Sequence, residues 1–345
     1  MNTKSKVAGA VALGVLLVLF LGCSSSKEEN VLSEQWIFFD TIVEFKIYGN
    51  PDERTADRIF GTVHREFARW DSLLDNYDST SAIEALNLAD AGSSRVVPEF
   101  GHFLSECVKF QKETDGILLP NIGHLTKLWG IGIIGTGKKW IPPKEVIDSA
   151  LALAKGGSFY VVDDTLVVAT GDLEIDPGAF AKGYAVDRVY EKIYPLCAGD
   201  ERIDGFLINA GRNIRGWHRK RKFNIGIRNP RGSGIVGVIQ LPPGVACASA
   251  GDYERYFIKD GVRYHHIFDP STGYPARGAN ASTVIAADAL TADALSTAAV
   301  IMGKDVKKLV RRPDVEIILF FARDSSLNYT IIGAERYKVD LGDSG

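Results

Sequence analysis

Glu174-Ile175-Asp176-Pro177-Gly178-Ala179-Phe180-Ala181-Lys182-Gly183-Tyr184-Ala185-Val186-Asp187 is the stretch whose reading decides the fold. Asp176 is placed to cap a helix, with Pro177 at its first position, where a missing N–H does no harm. Val186, Val189, Tyr190 and Ile193 follow at helical spacing and form a face that must be buried. The first turn carries small residues, so a ligand can reach the backbone. Free amides and the positive end of the helix dipole favour phosphate there, and Lys182 adds a movable cation. Taken alone, an Asp-Pro helix start is more often only a capped helix.

Two other segments add chemistry. In Thr291-Ala292-Asp293-Ala294-Leu295-Ser296-Thr297 the acid and the second threonine are four residues apart, so a helix puts both oxygens on one face. A carboxylate, a hydroxyl and a nearby carbonyl are hard ligands suited to Mg²⁺. Such a pair alone is usually just an acid and a threonine in a first helical turn. Tyr264-His265-His266-Ile267-Phe268-Asp269-Pro270-Ser271-Thr272-Gly273-Tyr274-Pro275 ends a strand in a turn. Adjacent strand residues point to opposite faces, so one histidine, not both, should serve a given site. A single histidine beside a phosphate can act as a general base, although two polar strand-end histidines can equally be only a turn.

Around these segments strands and helices are mixed without a βαβ rhythm, which predicts an α+β fold. Trp36–Tyr48 alternates as a strand or hairpin arm. Asn50-Pro51-Asp52-Glu53 predicts a helix start, followed by Ala56, Ile59, Phe60, Val63, Phe67, Trp70 and Leu74 on one face. Asp75–Ser79 reads as a loop and Glu99–Glu113 as a helix. A hairpin is expected over Phe159–Ala169, with strands at Phe206–Ile208, Phe223–Ile227, Ile235–Leu241, Tyr253–Ile258, Val262–Phe268 and Val315–Phe321. A last helix should follow Leu290 and stop at Gly303. Arg215–Lys222 reads as a solvated basic loop.

The start of the chain has a different character. Lys4 and Lys6 precede an apolar run from Val7 to Leu21, too short to span a bilayer comfortably and the right length for an export signal. Leu21-Gly22-Cys23 and the polar run after it predict a lipoprotein signal over residues 1–22, a lipidated Cys23 and a flexible tether through residue 34. The working part is then 35–345, long enough for one large or two intimate domains, expected on the periplasmic side of the inner membrane and anchored there by lipid. With 40 Lys and Arg against 43 Asp and Glu, the chain is near neutral and no nucleic-acid partner is expected. Cys107, Cys197 and Cys247 are odd in number and widely spaced, which reads as buried free thiols.

In order and together, Asp176–Asp187, Tyr264–Pro275 and Ala292–Ala298, supported by Leu128-Trp129-Gly130 and Gly251-Asp252-Tyr253-Glu254, resemble the ApbE family of flavin transferases. The similarity runs from about Phe39 to Gly303. It implies an ApbE-type α+β fold that binds FAD as substrate, with Mg²⁺ at the diphosphate. It places the metal on the Ala179 carbonyl, Asp293 and Thr297. It lines the FAD site with Phe39, Asn76, Tyr77, Thr114, Asp115, Gly116, Asp176, Lys182 and Ile267, and gives proton transfer to His266. The implied reaction moves FMN from FAD onto a threonine hydroxyl of an acceptor flavoprotein and releases AMP. The alternatives are hydrolysis of FAD to FMN and AMP, and flavin binding without catalysis.

Departures from the family pattern stand out. Phe39-Asp40-Thr41 replaces the usual Met-Gly-Thr, Ser249-Ala250-Gly251 replaces Thr-Ser-Gly, and Gly211-Arg212-Asn213 replaces a Gly-Gly-Asp turn. Asn76 stands where an aromatic often stacks on the flavin, which predicts a weaker grip on that ring.

Overall fold

Phe39 and Asp40 both lie at positive φ, 52° and 53°, and close the two-residue turn between β1 (Val31–Phe38) and β2 (Thr41–Gly49). This hairpin starts a computed structural model that describes residues 29–132, 139–309, 313–323 and 326–342. The expected signal and Cys23 lie outside the described residues.

After the hairpin come α1 (Glu53–Leu74), α2 (Ala82–Asn87), β3 (Gly92–Arg95), α3 (Pro98–Glu113), α4 (Gly123–Trp129), α5 (Lys144–Gly156), β4 (Ser158–Asp163) and β5 (Leu166–Thr170). The middle of the chain forms α6 (Ala181–Ala198), β6 (Ile203–Ala210), β7 (Asn213–His218), β8 (Phe223–Arg228), β9 (Ile235–Leu241) and β10 (Ala246–Gly251). The remainder forms β11 (Tyr256–Lys259), β12 (Val262–His265), β13 (Ala281–Ala286), α7 (Ala289–Met302), β14 (Glu316–Arg323), β15 (Ser326–Ile332) and β16 (Val339–Leu341).

An antiparallel sheet of eight strands in the order β1-β2-β6-β7-β10-β13-β14-β15 organises the rest. Helices α1, α6 and α7 cover one face, burying Phe45, Phe67, Trp70, Val186 and Ile208. The small sheet β16-β9-β8 covers the other through Phe223, Ile239, Leu241, Ile285 and Phe320. Covered on both faces, β13 is buried at every residue, so it carries no polar-out alternation. The mixed α+β architecture expected from the sequence is therefore present.

The structure corrects several boundaries. The folded unit begins before residue 35: Val31–Glu34 pair with Phe45–Tyr48, because β2 offers its backbone edge and Leu32 packs on the core. The cap of α1 is Asp52, which accepts the Thr55 amide at 2.7 Å, and not Asn50, whose side chain bonds Asn30. Helix α6 begins at Ala181 rather than Pro177. Asp176 instead accepts the Gly178 amide at 2.8 Å and closes a separate turn through Phe180. The strand expected from Tyr253 starts at Tyr256, and β12 ends at His265. Of the expected solvated loop Arg215–Lys222, only 219–222 is an exposed turn, because Arg215–His218 belong to β7. Arg215 pairs with Asp187 inside the protein, Arg219 caps the carbonyls ending α6, and Lys220 and Arg221 pair with Asp204 and Glu29. The three described cysteines are buried free thiols, as expected.

Helices α6 and α7 meet at Gly183. A Cβ there would lie 2.4 Å from the Ala289 carbonyl oxygen and 2.7 Å from the Asp293 Cβ. Gly183→Ala should therefore force the helices apart and lower unfolding stability by about 1–3 kcal/mol. Denaturant titration checks this, and an unchanged midpoint would contradict the close crossing.

Candidate active site

The turn at Asp176–Phe180, the start of α6 and one face of α7 border a cleft of about 730 Å³. The β1–β2 turn closes one side, held by the Phe39 amide donating to Asp71 of α1 at 2.7 Å. The loop after α1 and the segment around His266 complete the walls.

At its centre is Asp293. The carboxylate is buried and accepts the Gly183 amide at 2.9 Å, with the Lys182 Nζ 3.7 Å from the same oxygen. Burial raises its pKa, while Lys182, the Gly183 amide and the Asn213 side chain pull it back down. Lys182 also donates to the Gly178 carbonyl at 3.2 Å, so it bridges the 177–180 turn and the α7 acid. Thr297 sits one helical turn beyond Asp293 and faces the same cleft, as does Ala179.

The position of α7 is fixed from α6 as well. Asp187, one turn after Gly183, accepts the Ala289 and Leu290 amides at 2.8 Å each and the Arg215 guanidinium at 2.6 Å. Two otherwise orphaned donors of the α7 N-terminus are thereby satisfied. Burial pushes the Asp187 pKa up to about 6 against the opposing pull of Arg215 and the two amides.

These groups suit a hard cation. Ala179, Asp293 and Thr297 offer only oxygen, and among the described residues no group of three His, Cys, Asp or Glu side chains stands together. A single carboxylate leaves most coordination positions to water and substrate oxygens, the habit of Mg²⁺. Among the described residues the Asn213 Oδ1 beside Asp293 is buried without a hydrogen-bond partner, so these groups alone do not complete the polar shell.

The two histidines separate as expected. His265 is buried and bonds the Ala276 carbonyl at 2.8 Å, whereas His266 lines the cleft. Its Nδ1 lies 3.3 Å from the Arg255 carbonyl. A carbonyl can only accept, so Nδ1 carries the proton and Nε2 keeps its lone pair. Burial, Arg255 and His265 hold the His266 pKa down at about 3.

Phe39, Asn76, Tyr77, Asp176, Lys182 and Ile267 also line the cleft. Asn76 is buried, while Tyr77, 48% exposed, is the open aromatic of that loop. Thr114, Asp115 and Gly116 are not among the lining residues. The Thr114 hydroxyl donates to the Phe110 carbonyl at 2.7 Å and accepts the Leu118 amide at 3.0 Å. It thus ends α3 and steers Ile117–Leu119 into the wall instead. Arg212, Glu254 and Arg255, which carry no site role in the sequence reading, border the same space. A charged Arg-Asn in a glycine turn and a Glu-Arg after Asp-Tyr were the available signals.

The ApbE family profile matches residues 39–319. The chain belongs to the ApbE family. It is 28% identical to the FAD:protein FMN transferase of Rhodobacter capsulatus over 92% of its own length and 60% of that relative's. Against the FAD:protein FMN transferase of Treponema pallidum (strain Nichols) it is 27% identical over 90% of each chain. The crystal structure of the ApbE protein from Thermotoga maritima superposes with a TM-score of 0.75 at 32% identity, over 89% of this chain and 97% of that one. The eight-stranded sheet with its helices on one face is thus an ApbE flavin transferase fold.

The lowered pKa of His266 gives a direct test. In ¹⁵N NMR its ring nitrogens should keep the neutral pattern down to pH 5, and a titration centred near the ordinary value of about 6.5 would contradict the burial argument.

Proposed function

We propose that this ApbE-family enzyme transfers the FMN moiety of FAD to a threonine hydroxyl of an acceptor flavoprotein and releases AMP. The observation carrying this reading is the convergence of the 177–180 turn, Lys182, Asp293, Thr297 and His266 on one cleft. Relatives bearing the name FAD:protein FMN transferase support it.

Mg²⁺ bound by the Ala179 carbonyl, Asp293 and Thr297 would neutralise diphosphate charge and polarise the phosphorus under attack. The chain's own groups do the rest. Lys182 contacts the diphosphate from the α6 side and offsets charge on the departing AMP. Phe39 and the Asn76-Tyr77 loop hold the flavin end, Tyr77 offering its exposed ring. The acceptor oxygen bonds to the FMN phosphorus as the bond from that phosphorus to the AMP oxygen breaks. The acceptor's proton passes to the His266 Nε2, whose basicity rises once an anionic diphosphate lies beside the ring.

Asn76 favours hydrolysis as the second reading. A buried amide in place of an aromatic lessens the grip on the flavin, and water can take the acceptor's position. We further propose that residues 1–22 are an export signal and that a lipidated Cys23 holds the enzyme on the periplasmic face of the inner membrane. Exported flavoproteins would be matured there.

Incubation with Mg²⁺, FAD and a candidate acceptor, followed by intact mass and AMP chromatography, tests the chemistry. An FMN adduct on the acceptor is expected. Asp293→Ala or EDTA should cut AMP release by about 100-fold or more. Free FMN without an adduct would replace transfer by hydrolysis, and no AMP from the wild type would remove both readings.

A further inference from the structure

Arg212 occupies a conformation that an arginine rarely adopts. Its φ is +74°, in the left-handed region, where a Cβ costs about 1–2 kcal/mol. A glycine would adopt this turn without strain, so the strain comes with the side chain that this sequence carries. That side chain faces the cleft. Its guanidinium lies 5.3 Å from the Tyr253 ring centroid and pairs with Glu254. Arg228, the last residue of β8, lies against the same ring at 5.7 Å. Arg212, Tyr253 and Arg228 also border a second cavity of about 210 Å³ that adjoins the cleft.

The backbone beneath this pair is firmly held. Asp252 accepts both Arg231 nitrogens at 2.6 Å and the Asn280 amide at 2.9 Å, and its own N–H donates to the Asn280 carbonyl. Tyr253 and Glu254 therefore have little freedom, whereas the long arginine side chain can change partners. Glu254 lies in the field of three cations, Arg212, Lys182 and Arg255, and of the Asp293 carboxylate; burial raises its pKa. One half-buried carboxylate thus stands amid cations that reach the Lys182–Asp293 centre. A diphosphate in the cleft brings more charge and more acceptor oxygens to the same cations.

We propose that Arg212 is an anion-binding residue of the cleft, paired with Glu254 in the free protein and passed to a phosphate oxygen when a nucleotide binds. This rests on the reading of the cleft as an FAD site. It adds a second cation to the phosphate-binding set and gives Glu254 the role of holding that cation in reserve.

Calorimetric titration of the full-length protein with FAD, AMP and uncharged riboflavin, in EDTA, tests the proposal without turnover. Arg212→Gly should weaken FAD and AMP about tenfold, the loss of one charge-assisted bond. Riboflavin affinity should stay at the wild-type level, and the melting midpoint should hold because glycine tolerates φ +74°. Glu254→Gln should leave AMP binding as tight as wild type or tighter. Unchanged FAD and AMP affinity in Arg212→Gly would overturn the proposal. So would an equal loss of riboflavin, which marks a collapsed cleft. A wild type that binds neither FAD nor riboflavin would instead remove the FAD reading, and this proposal with it.

Discussion

The site depends on one contact: the Asp293 carboxylate of α7 accepts the backbone amide of Gly183 in α6. Two helices can approach this closely only where one of them lacks a side chain, and Gly183 supplies that gap. One turn further on, Asp187 takes the first amides of α7, so the crossing is fixed at two points by side-chain oxygen on backbone nitrogen. Lys182 and Asp293 are 111 residues apart in sequence, as their numbers show, yet this crossing brings their charges within 3.7 Å. Direction follows as well as distance, since α7 then presents Thr297 to the same cleft.

Electrostatics explains why such a centre persists. A buried carboxylate is costly unless its charge is met, and Asp293 is met by an amide, an ammonium group and a side-chain amide at once. Asp187 shows the same pattern with Arg215 and two amides. Because neither acid sits on a loop, the reacting geometry inherits the rigidity of the sheet and its helices. The parts that can adapt are the long side chains at the rim, Lys182, Arg212 and Arg255, and the open ring of Tyr77.

Much of this was legible in the sequence. The apolar face of α1 was read in full, since 3.6-residue spacing depends only on neighbours along the chain. The Asp176–Asp187, His266 and Asp293–Thr297 segments converge as the family resemblance implied. Boundaries fared worse where tertiary partners decided them. Asp176 serves a turn because Gly178 offers its amide first, and Val31–Glu34 join a strand because β2 is there to pair with them. Arg215 looked solvated because the buried Asp187 that neutralises it lies 28 positions away. The Thr114 hydroxyl ends α3, a role that depends on the Phe110 carbonyl and the Leu118 amide. No single-residue signal distinguishes a carboxylate that faces the cleft, as Asp293 does, from one that clamps a helix, as Asp187 does.

Asp187 therefore offers the most direct measurement of the account. It does not line the cleft, and reaches the site through the α7 amides and through Arg215 of β7. FAD affinity of Asp187→Ala should fall at least about tenfold while circular dichroism shows the fold retained, because the α7 N-terminus loses its anchor and Asp293 its register with Gly183. Wild-type FAD affinity in that variant would show that the α6–α7 junction does not position the site.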